Sequence, residues 1–209
     1  MDKHTINRRI WPRTPLVALT LILILLATMA DIAKADDFDH ERKGLVLGLN
    51  LGTGGASLQY ERLGLAVEHE IENVPGGIGR IGFGLSDHFV ITLEGRGFSK
   101  TNSEVDIQGA MALVTLTWHP GGGGFFLRGG VGGGAANIRL LGPPSLVDWE
   151  EREAEGAAGF GLGYEWRLGR QFALGLALDG CAMGFEDRPG FQETVFGSGI
   201  ASLQLNWYL

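Results

Sequence analysis

Four histidines in residues 36–209 are the side chains best suited to acid–base chemistry: His40, His69, His88 and His119. Only His69, in the stretch Glu68-His69-Glu70, is expected in a long outer loop. A histidine oriented by a carboxylate can act as a general base. No serine nucleophile stands in a recognisable motif with it. We therefore expect a polar loop at this position and no catalytic residue in the chain.

Motifs for metals, nucleotides and thiol chemistry are weak. Glu68, His69, Glu70 and Glu72 could bind a divalent cation, but one such stretch does not predict a metal site. The glycine runs at 121–124 and 129–134 lead neither into a helix nor into a G-K-[ST] sequence, so they do not predict a phosphate loop. Cys181 is the single cysteine, which we expect to be a packed, inert thiol. No metal and no cofactor are expected.

The elements that would position these residues are β-strands, because side chains alternate between apolar and polar with a period of two. Eight segments show this pattern or strand character, and they follow one another along the chain. They are 44–52, 77–85, 89–98, 107–118, 125–140, 158–168, 172–185 and 195–209. The sequence therefore predicts an all-β domain of eight strands.

The connections between these segments alternate in length. Short, turn-rich connections lie at 86–88, 119–124 and 169–171, and longer ones at 53–76, 99–106, 141–157 and 186–194. Short turns at one end and long loops at the other are typical of outer-membrane barrels, whose long loops face outside. Residues 56–60 and 63–71 also have strand character, and they extend the first hairpin or form an extra pair of strands.

The last segment has one apolar and one polar face. Its apolar face carries Val195, Gly197, Gly199, Ala201, Leu203, Leu205, Trp207 and Leu209. A strand that spans a bilayer needs about 9–11 residues and carries aromatic residues at the membrane interface. The length and the Trp207-Tyr208 pair favour such a strand over a half-buried strand of a soluble protein.

Residues 44–209 resemble the OmpA/opacity-type family of eight-stranded outer-membrane β-barrels. The resemblance is carried by T-L-T-W-H-P-G-G-G-G-F-F-L-R-G-G-V-G (115–132) and L-Q-L-N-W-Y-L (203–209). It implies a transmembrane, antiparallel, up-and-down barrel in the outer membrane of a Gram-negative bacterium, surrounded by outer-membrane lipids and lipopolysaccharide. It also implies that the barrel-assembly machinery reads Leu203, Leu205, Trp207 and Leu209, although that family more often ends in phenylalanine.

The alternation also predicts what lies inside such a barrel. If the apolar set faces lipid, the interior receives Arg80, Glu94, Arg96, Arg128, Glu165, Arg167 and Asp179. Unpaired charges in a narrow interior would be very unfavourable, whereas a mutually paired network is tolerable. We predict an internal ion-pair network that fills the barrel, since eight strands enclose a space just wide enough for side chains. A conducting pathway lined by charges is the alternative.

The beginning of the chain is typical of a secretory signal peptide. Basic residues in 3–13 precede an apolar run at 15–30 and a small-x-small site at Ala33-Lys34-Ala35. We therefore predict a cleaved signal at 1–35, a short periplasmic segment at 36–43 and the barrel domain at 44–209.

Residues 36–209 carry 12 Lys and Arg against 22 Asp and Glu, a net charge of -10. An acidic chain of this kind is not expected to bind nucleic acid. One concentration of negative charge lies in the third long loop, at Asp148, Glu150, Glu151, Glu153 and Glu155. It is interpreted as a solvated loop or as an outward adhesive or cation-binding patch.

The function that these observations favour is structural or interactive, in the cell envelope, and not enzymatic. Two alternatives belong to other classes. A small outer-membrane enzyme acting on lipid A or phospholipid would need a histidine, serine and acid cluster at the outer rim. A soluble, lipocalin-like periplasmic barrel would point its apolar residues inward around a ligand.

Overall fold

The computed structural model describes residues 42–62, 65–101, 105–140, 148–187 and 192–209, and almost all of them lie in β-strands. The strands are β1 (Gly44–Arg62), β2 (Leu65–Gly84), β3 (Phe89–Thr101), β4 (Val105–Trp118), β5 (Phe125–Leu140), β6 (Asp148–Glu153), β7 (Gly156–Arg167), β8 (Phe172–Phe185) and β9 (Gln192–Tyr208). A single 3-10 turn, Pro120–Gly122, lies between β4 and β5. Within these ranges no helix is long and apolar enough to cross a membrane.

The strands form a closed antiparallel barrel. Each strand pairs with the next one along the chain, except that β6 and β7 both pair with β5. The first strand, β1, pairs with the last, β9, from Val46 opposite Tyr208 to Glu61 opposite Gln192. The pairing of β4 with β5 completes the ring. Closure leaves no free edge through the body of the barrel, which is the condition for a β-sheet to lie in lipid. The predicted all-β, eight-stranded, up-and-down barrel is confirmed.

The ring has eight strands although nine are numbered, because β6 and β7 share one position. With the long-loop end of the barrel taken as its upper end, the upper part of β5 pairs with β6, where Arg139 faces Asp148. The lower part of β5 pairs with β7, from Gly132 opposite Ala157 down to Phe125 opposite Tyr164. Only Ala154 and Glu155 separate β6 from β7. The sequence prediction of a loop over all of 141–157 is therefore wrong at 148–153, where the backbone is extended and paired.

The first hairpin is the longest. Residues 53–62 and 65–76, predicted as a long connection, continue β1 and β2, and the pairing runs to Arg62 opposite Leu65. The interpretation of 56–71 as an extension of this hairpin is confirmed. A bulge at 72–73, with Asn73 at a φ of 54°, shifts the register between Gly54 and Ala56. Below the bulge the even-numbered residues of β2 face inward, as Val74 and Ile78 do, and above it the odd-numbered Ile71 does.

The outer surface of the barrel is apolar. Leu51, Leu93, Val131 and Phe160 are each more than half exposed. Near the short-turn end Trp118, Trp166 and Trp207 are also exposed, and Trp207 lies 5.3 Å from the Phe172 ring, centroid to centroid. Apolar side chains outside, with aromatic residues at the interface, are characteristic of outer-membrane barrels. This surface is that of a membrane-spanning barrel of the outer-membrane type, in which short turns face the periplasm; the end of this barrel with the short turns is therefore called its periplasmic end.

Candidate functional site in the barrel interior

The interior has two layers of different chemistry. The half nearer the periplasm holds the buried charged side chains and most of the buried polar ones, together with a small apolar group that includes Val46, Val90 and Ala173. The half nearer the long loops is filled by a larger buried apolar cluster. We call the apolar cluster the apolar layer; it consists of Ala56, Leu58, Tyr60, Ile71, Val74, Phe98, Ile107, Met111, Leu113, Ala136, Ile138, Ala157, Cys181, Met183, Phe185 and Phe196. The polar half has two parts, a central network and a periplasmic cap.

The central network is built around two carboxylates, Glu94 and Asp179. Arg96 Nε lies 2.5 Å from Glu94 Oε1, and Arg128 Nη1 lies 3.4 Å from Glu94 Oε2. Arg128 Nη2 also reaches Asp179 Oδ1 at 3.1 Å. Arg80 is further from an acid, with Nη1 3.8 Å from Glu94 Oε2. Of the predicted interior charges, five are thus brought into one cluster: Arg80, Glu94, Arg96, Arg128 and Asp179.

Neutral amides and hydroxyls complete the central network. Asn50 donates from Nδ2 to Asp179 Oδ2 at 3.1 Å, and the Ser202 hydroxyl donates to the same oxygen at 3.2 Å. Asn50 Oδ1 accepts from Arg80 Nη2 at 2.5 Å, and Gln204 Oε1 accepts from Arg128 Nη2 at 3.3 Å. These neutral side chains hydrogen-bond to atoms of the buried carboxylates and guanidinium groups, and so add to the bonds that the ions make with one another.

Strand pairing explains why these charges meet. Arg80 on β2 lies directly opposite Glu94 on β3, and side chains in direct opposition on one face are within contact distance. β7 contributes empty space, because its inward positions here are glycines. A Cβ added at Gly161 would lie 2.5 Å from Asp179 Oδ1, and one added at Gly159 would lie 3.0 Å from Arg96 Nη2. The glycines therefore make room for the Asp179 carboxylate and the Arg96 guanidinium.

The periplasmic cap is centred on Glu165, which is fully buried. Its carboxylate accepts from Arg42 Nε at 3.1 Å, from Asn206 Nδ2 at 2.7 Å and from the Tyr208 hydroxyl at 2.8 Å. Arg42 also donates to three backbone carbonyls in two short turns: Asp87 at 2.9 Å, Gly122 at 2.7 Å and Gly123 at 2.6 Å. One side chain that precedes β1 thus closes the periplasmic mouth of the barrel.

His119 belongs to the cap as well. The sequence placed it in a short turn, and it does follow β4 directly, but its side chain is buried. Burial lowers the pKa of His119 to about 4, and the positive charge of Arg42 adds to this effect while Glu165 opposes it. His119 Nδ1 lies 4.0 Å from Glu165 Oε1. At neutral pH the imidazole is uncharged, so this contact is not an ion pair.

The remaining predicted residues lie at the edge of the interior or outside it. Arg167 is half-buried at the periplasmic mouth, with its guanidinium carbon 4.0 Å from the centroid of the Tyr208 ring, and it donates to the Arg170 carbonyl at 3.0 Å. The four residues predicted as the C-terminal assembly signal point away from the interior. Of these, Leu203 is half exposed, and Trp207 and Leu209 are exposed.

The other candidate histidine lies far from this site. His69 lies on the inner face of the first hairpin, and its Nε2 is 3.3 Å from the Tyr60 hydroxyl. Glu68 is bound instead by Gln59 Nε2 at 2.8 Å. In the described ranges no three His, Cys, Asp or Glu side chains are grouped to hold a metal ion. His88 is exposed in its turn, and His40 lies outside the described residues.

Acidic side chains line the outer rim where β8 ends and where β7 and β9 begin. Glu155, Glu186 and Asp187 border a groove of about 540 Å³ that also contacts Phe185 and Thr194. The side chains of residues 148–153, which carry the other predicted loop acids, lie outside the part of the chain that the structure describes. Cys181 is buried in the apolar layer, with its Sγ 2.9 Å from the Ser198 hydroxyl.

The structure adds residues that the sequence did not single out. Asn50, Gln204 and Asn206 follow the same inward alternation as the charges and could have been found from it. Arg42 could not be found from the alternation of inward and outward residues, because it precedes the first strand. The apolar layer was also missed, since Met111 and Leu113 lie on a strand whose outward face is apolar as well.

Comparison with known proteins finds similarity only among solved structures, and at low sequence identity. No protein-family model matches the chain, and no curated protein matches it. Among solved structures, Neisserial surface protein A is similar over 79% of this chain and 97% of its own, with a TM-score of 0.45 and 8% identity. The attachment invasion locus protein Ail of Yersinia pestis covers 77% and 97%, with a TM-score of 0.44 and 11% identity.

The N-terminal β-barrel domain of Pseudomonas aeruginosa OprF is similar over 78% of this chain and 96% of its own, with a TM-score of 0.43 and 16% identity. Likeness at this level assigns no function. On its own geometry, with a closed ring of eight strands, an apolar exterior and a charged interior, the chain is a transmembrane β-barrel of the outer-membrane type.

Proposed function

We propose that this protein is a sealed, non-enzymatic barrel with a structural and interactive role in the cell envelope. The observation that carries the proposal is the filling of the interior by two consecutive layers of side chains. The polar half encloses a cavity of only about 20 Å³ between the central network and the cap, which has room for about one water molecule. Above it the apolar layer contains the stacked rings of Phe98 and Phe196, 4.9 Å apart.

An ion would have to cross both layers to pass through the barrel. Apart from the Tyr60 hydroxyl and the Cys181 thiol, the side chains of the apolar layer offer an ion no polar group to replace its hydration shell, and hydrophobic constrictions block conduction in this way. The charges of the polar half hold one another by ion pairs and hydrogen bonds. This arrangement supports a plug over the conducting pathway that was the alternative.

Conductance in planar lipid bilayers tests the seal. The refolded protein is expected to give no discrete current steps, whereas a channel-forming porin in the same bilayers gives them and serves as the positive control. Reproducible steps from the purified barrel, with a slope that depends on salt concentration, would show that a pathway exists and would refute the plug.

The interactive role is proposed because the outer rim of the barrel is acidic. Glu155, Glu186 and Asp187 surround a groove at the end of the barrel that faces the outside, and the chain is acidic as a whole. Such a surface keeps the protein soluble above the membrane and favours cationic over anionic partners. The enzymatic alternative gains no support from His69, whose described partner is the Tyr60 hydroxyl.

Envelope complementation separates the structural from the interactive role. A strain of the host that lacks the gene is expected to become sensitive to detergent. The wild-type gene and a variant with Glu155→Gln, Glu186→Gln and Asp187→Asn are both expected to restore resistance if the barrel itself supports the envelope. Failure of the neutralised variant, at normal levels in the outer membrane, would show that the rim contributes the essential function.

A further inference from the structure

The charges buried in the barrel do not balance. Among the described residues, the buried interior side chains include four guanidinium groups and three carboxylates. The cations are Arg42, Arg80, Arg96 and Arg128, and the anions are Glu94, Glu165 and Asp179. An excess positive charge in a desolvated interior is costly unless a counter-charge lies nearby.

The excess charge is localised at Arg80. Arg96 and Arg128 each have a carboxylate oxygen within 3.1 Å, and Arg42 has Glu165 at the same distance. Arg80 reaches its only described carboxylate at 3.8 Å, and its closer partners are the neutral Asn50 and Asn206 amides. Its Nη1 is buried with no hydrogen-bond partner.

Arg80 also lines the one described cavity of the polar half. The cavity of about 20 Å³ is lined by Arg80 and Arg128, and by the hydroxyl-bearing Thr92 and Thr117. Arg128 Nε is a second buried donor with no partner. Both guanidinium groups belong to side chains that are more than nine-tenths buried. Two cationic side chains that line one small cavity, each with an unpartnered N–H donor, are suited to bind an anion.

We propose that this cavity binds one small monovalent anion, chloride in a cell, held by Arg80 and Arg128. The ion would neutralise the excess charge and supply the missing acceptor for Arg80 Nη1 and Arg128 Nε. Glu165 also lines the cavity and would repel an anion. Its oxygens are already engaged by Arg42, Asn206 and Tyr208, which compensates its charge.

The size of the cavity makes the proposal selective. A cavity of about 20 Å³ excludes sulfate, phosphate and organic acids, and a halide is the common anion whose size is nearest to this space. A ligand that binds only the folded state stabilises it in proportion to the logarithm of its concentration once the site is nearly saturated. The folding equilibrium constant should then rise about tenfold for each tenfold increase in chloride.

The test compares unfolding by urea in chloride and in gluconate at equal ionic strength, so that general screening is the same. The wild-type barrel in detergent is expected to require more urea in chloride, and ³⁵Cl resonances are expected to broaden in its presence. Arg80→Met is expected to abolish both effects. The matched control Arg170→Met, which removes an exposed cation, is expected to keep them.

Equal unfolding in the two salts, together with no ³⁵Cl broadening, would show that the cavity holds only water and would overturn the proposal. Chloride dependence that persists undiminished in Arg80→Met would place the anion elsewhere and would overturn it too. If Arg80→Met does not fold, crystals of the unaltered protein grown in bromide decide the question. An anomalous peak in this cavity would support the site, and its absence would refute it.

Discussion

The contact between Arg42 and Glu165 allows a sharp test of how the periplasmic cap stabilises the barrel. In Glu165→Gln the side chain keeps its size but loses its charge. Arg42 would then remain buried with its positive charge uncompensated, while the Tyr208 hydroxyl and the Asn206 amide would compete for one remaining oxygen. We expect the barrel to become less stable without losing its fold.

The magnitude follows from burial and geometry. Both partners have fully buried side chains, and the two atoms lie 3.1 Å apart. Removing one partner of a buried ion pair costs about 3–5 kcal/mol, because it leaves the other charge unpaired. Arg42 retains three carbonyl acceptors, so a loss of about 3 kcal/mol is expected. Removing both charges in Arg42→Met with Glu165→Gln should cost less than the sum of the single changes, by at least about 1 kcal/mol.

The assay is equilibrium urea unfolding of the refolded protein in detergent, followed by the loss of the mobility shift that folded barrels show on unheated gels. Glu155→Gln, which alters an exposed acid at the other end, is the control and should change stability by less than about 0.5 kcal/mol. If Glu165→Gln stays within about 1 kcal/mol of the wild type, or if the two changes are strictly additive, the buried ion pair does not hold the cap.

Three further predictions address other parts of the molecule. Free histidine takes up a proton near pH 6.5, but folded His119 does so only near pH 4; the unfolded state therefore binds more protons in this interval. As the pH falls from 6.5 to 4 the wild type should lose up to about 3 kcal/mol more than His119→Gln, measured as urea midpoints across that range, and parallel curves would contradict this. Phe196→Ala should cost about 3–5 kcal/mol by emptying the apolar layer, whereas Phe160→Ala on the outer face should cost much less in the same assay; equal losses would refute the layer's role. Asn73→Val should destabilise the first hairpin by about 1–2 kcal/mol because the residue has a positive φ, while Asn73→Gly should not, and a harmless valine in the same unfolding assay would show that the bulge relaxes.

The body of the barrel could be predicted because period-two alternation is strong on most strands. β5 and β8 begin and end where the sequence placed them. The opposition of Arg80 and Glu94 required only that both residues face inward on adjacent strands. These features depend on local pattern and on pairing between neighbours, which are both visible in the sequence.

Other features depend on structure that no local pattern encodes. On β4 the inward Met111 and the outward Val114 are both apolar, so alternation could not show that the upper interior is apolar. The bulge at Asn73 reverses which residues of β2 face inward, and the alternation of residue types in the sequence does not show it. Arg42 is buried because two turns and β7 surround it, and these elements lie far along the chain.

The contacts of Arg42 also bear on the order in which the parts of the barrel come together during folding. Its bond to Glu165 joins residues 123 positions apart, and its carbonyl partners exist only after two hairpin turns have formed. β1, which follows Arg42 directly, finds one of its two neighbours in β9, the last strand of the chain. Contacts between such distant segments form slowly, because a long loop must close first. We therefore expect Arg42 to close the mouth late in folding, after both turns and β7 are in place, and not to form part of the folding nucleus.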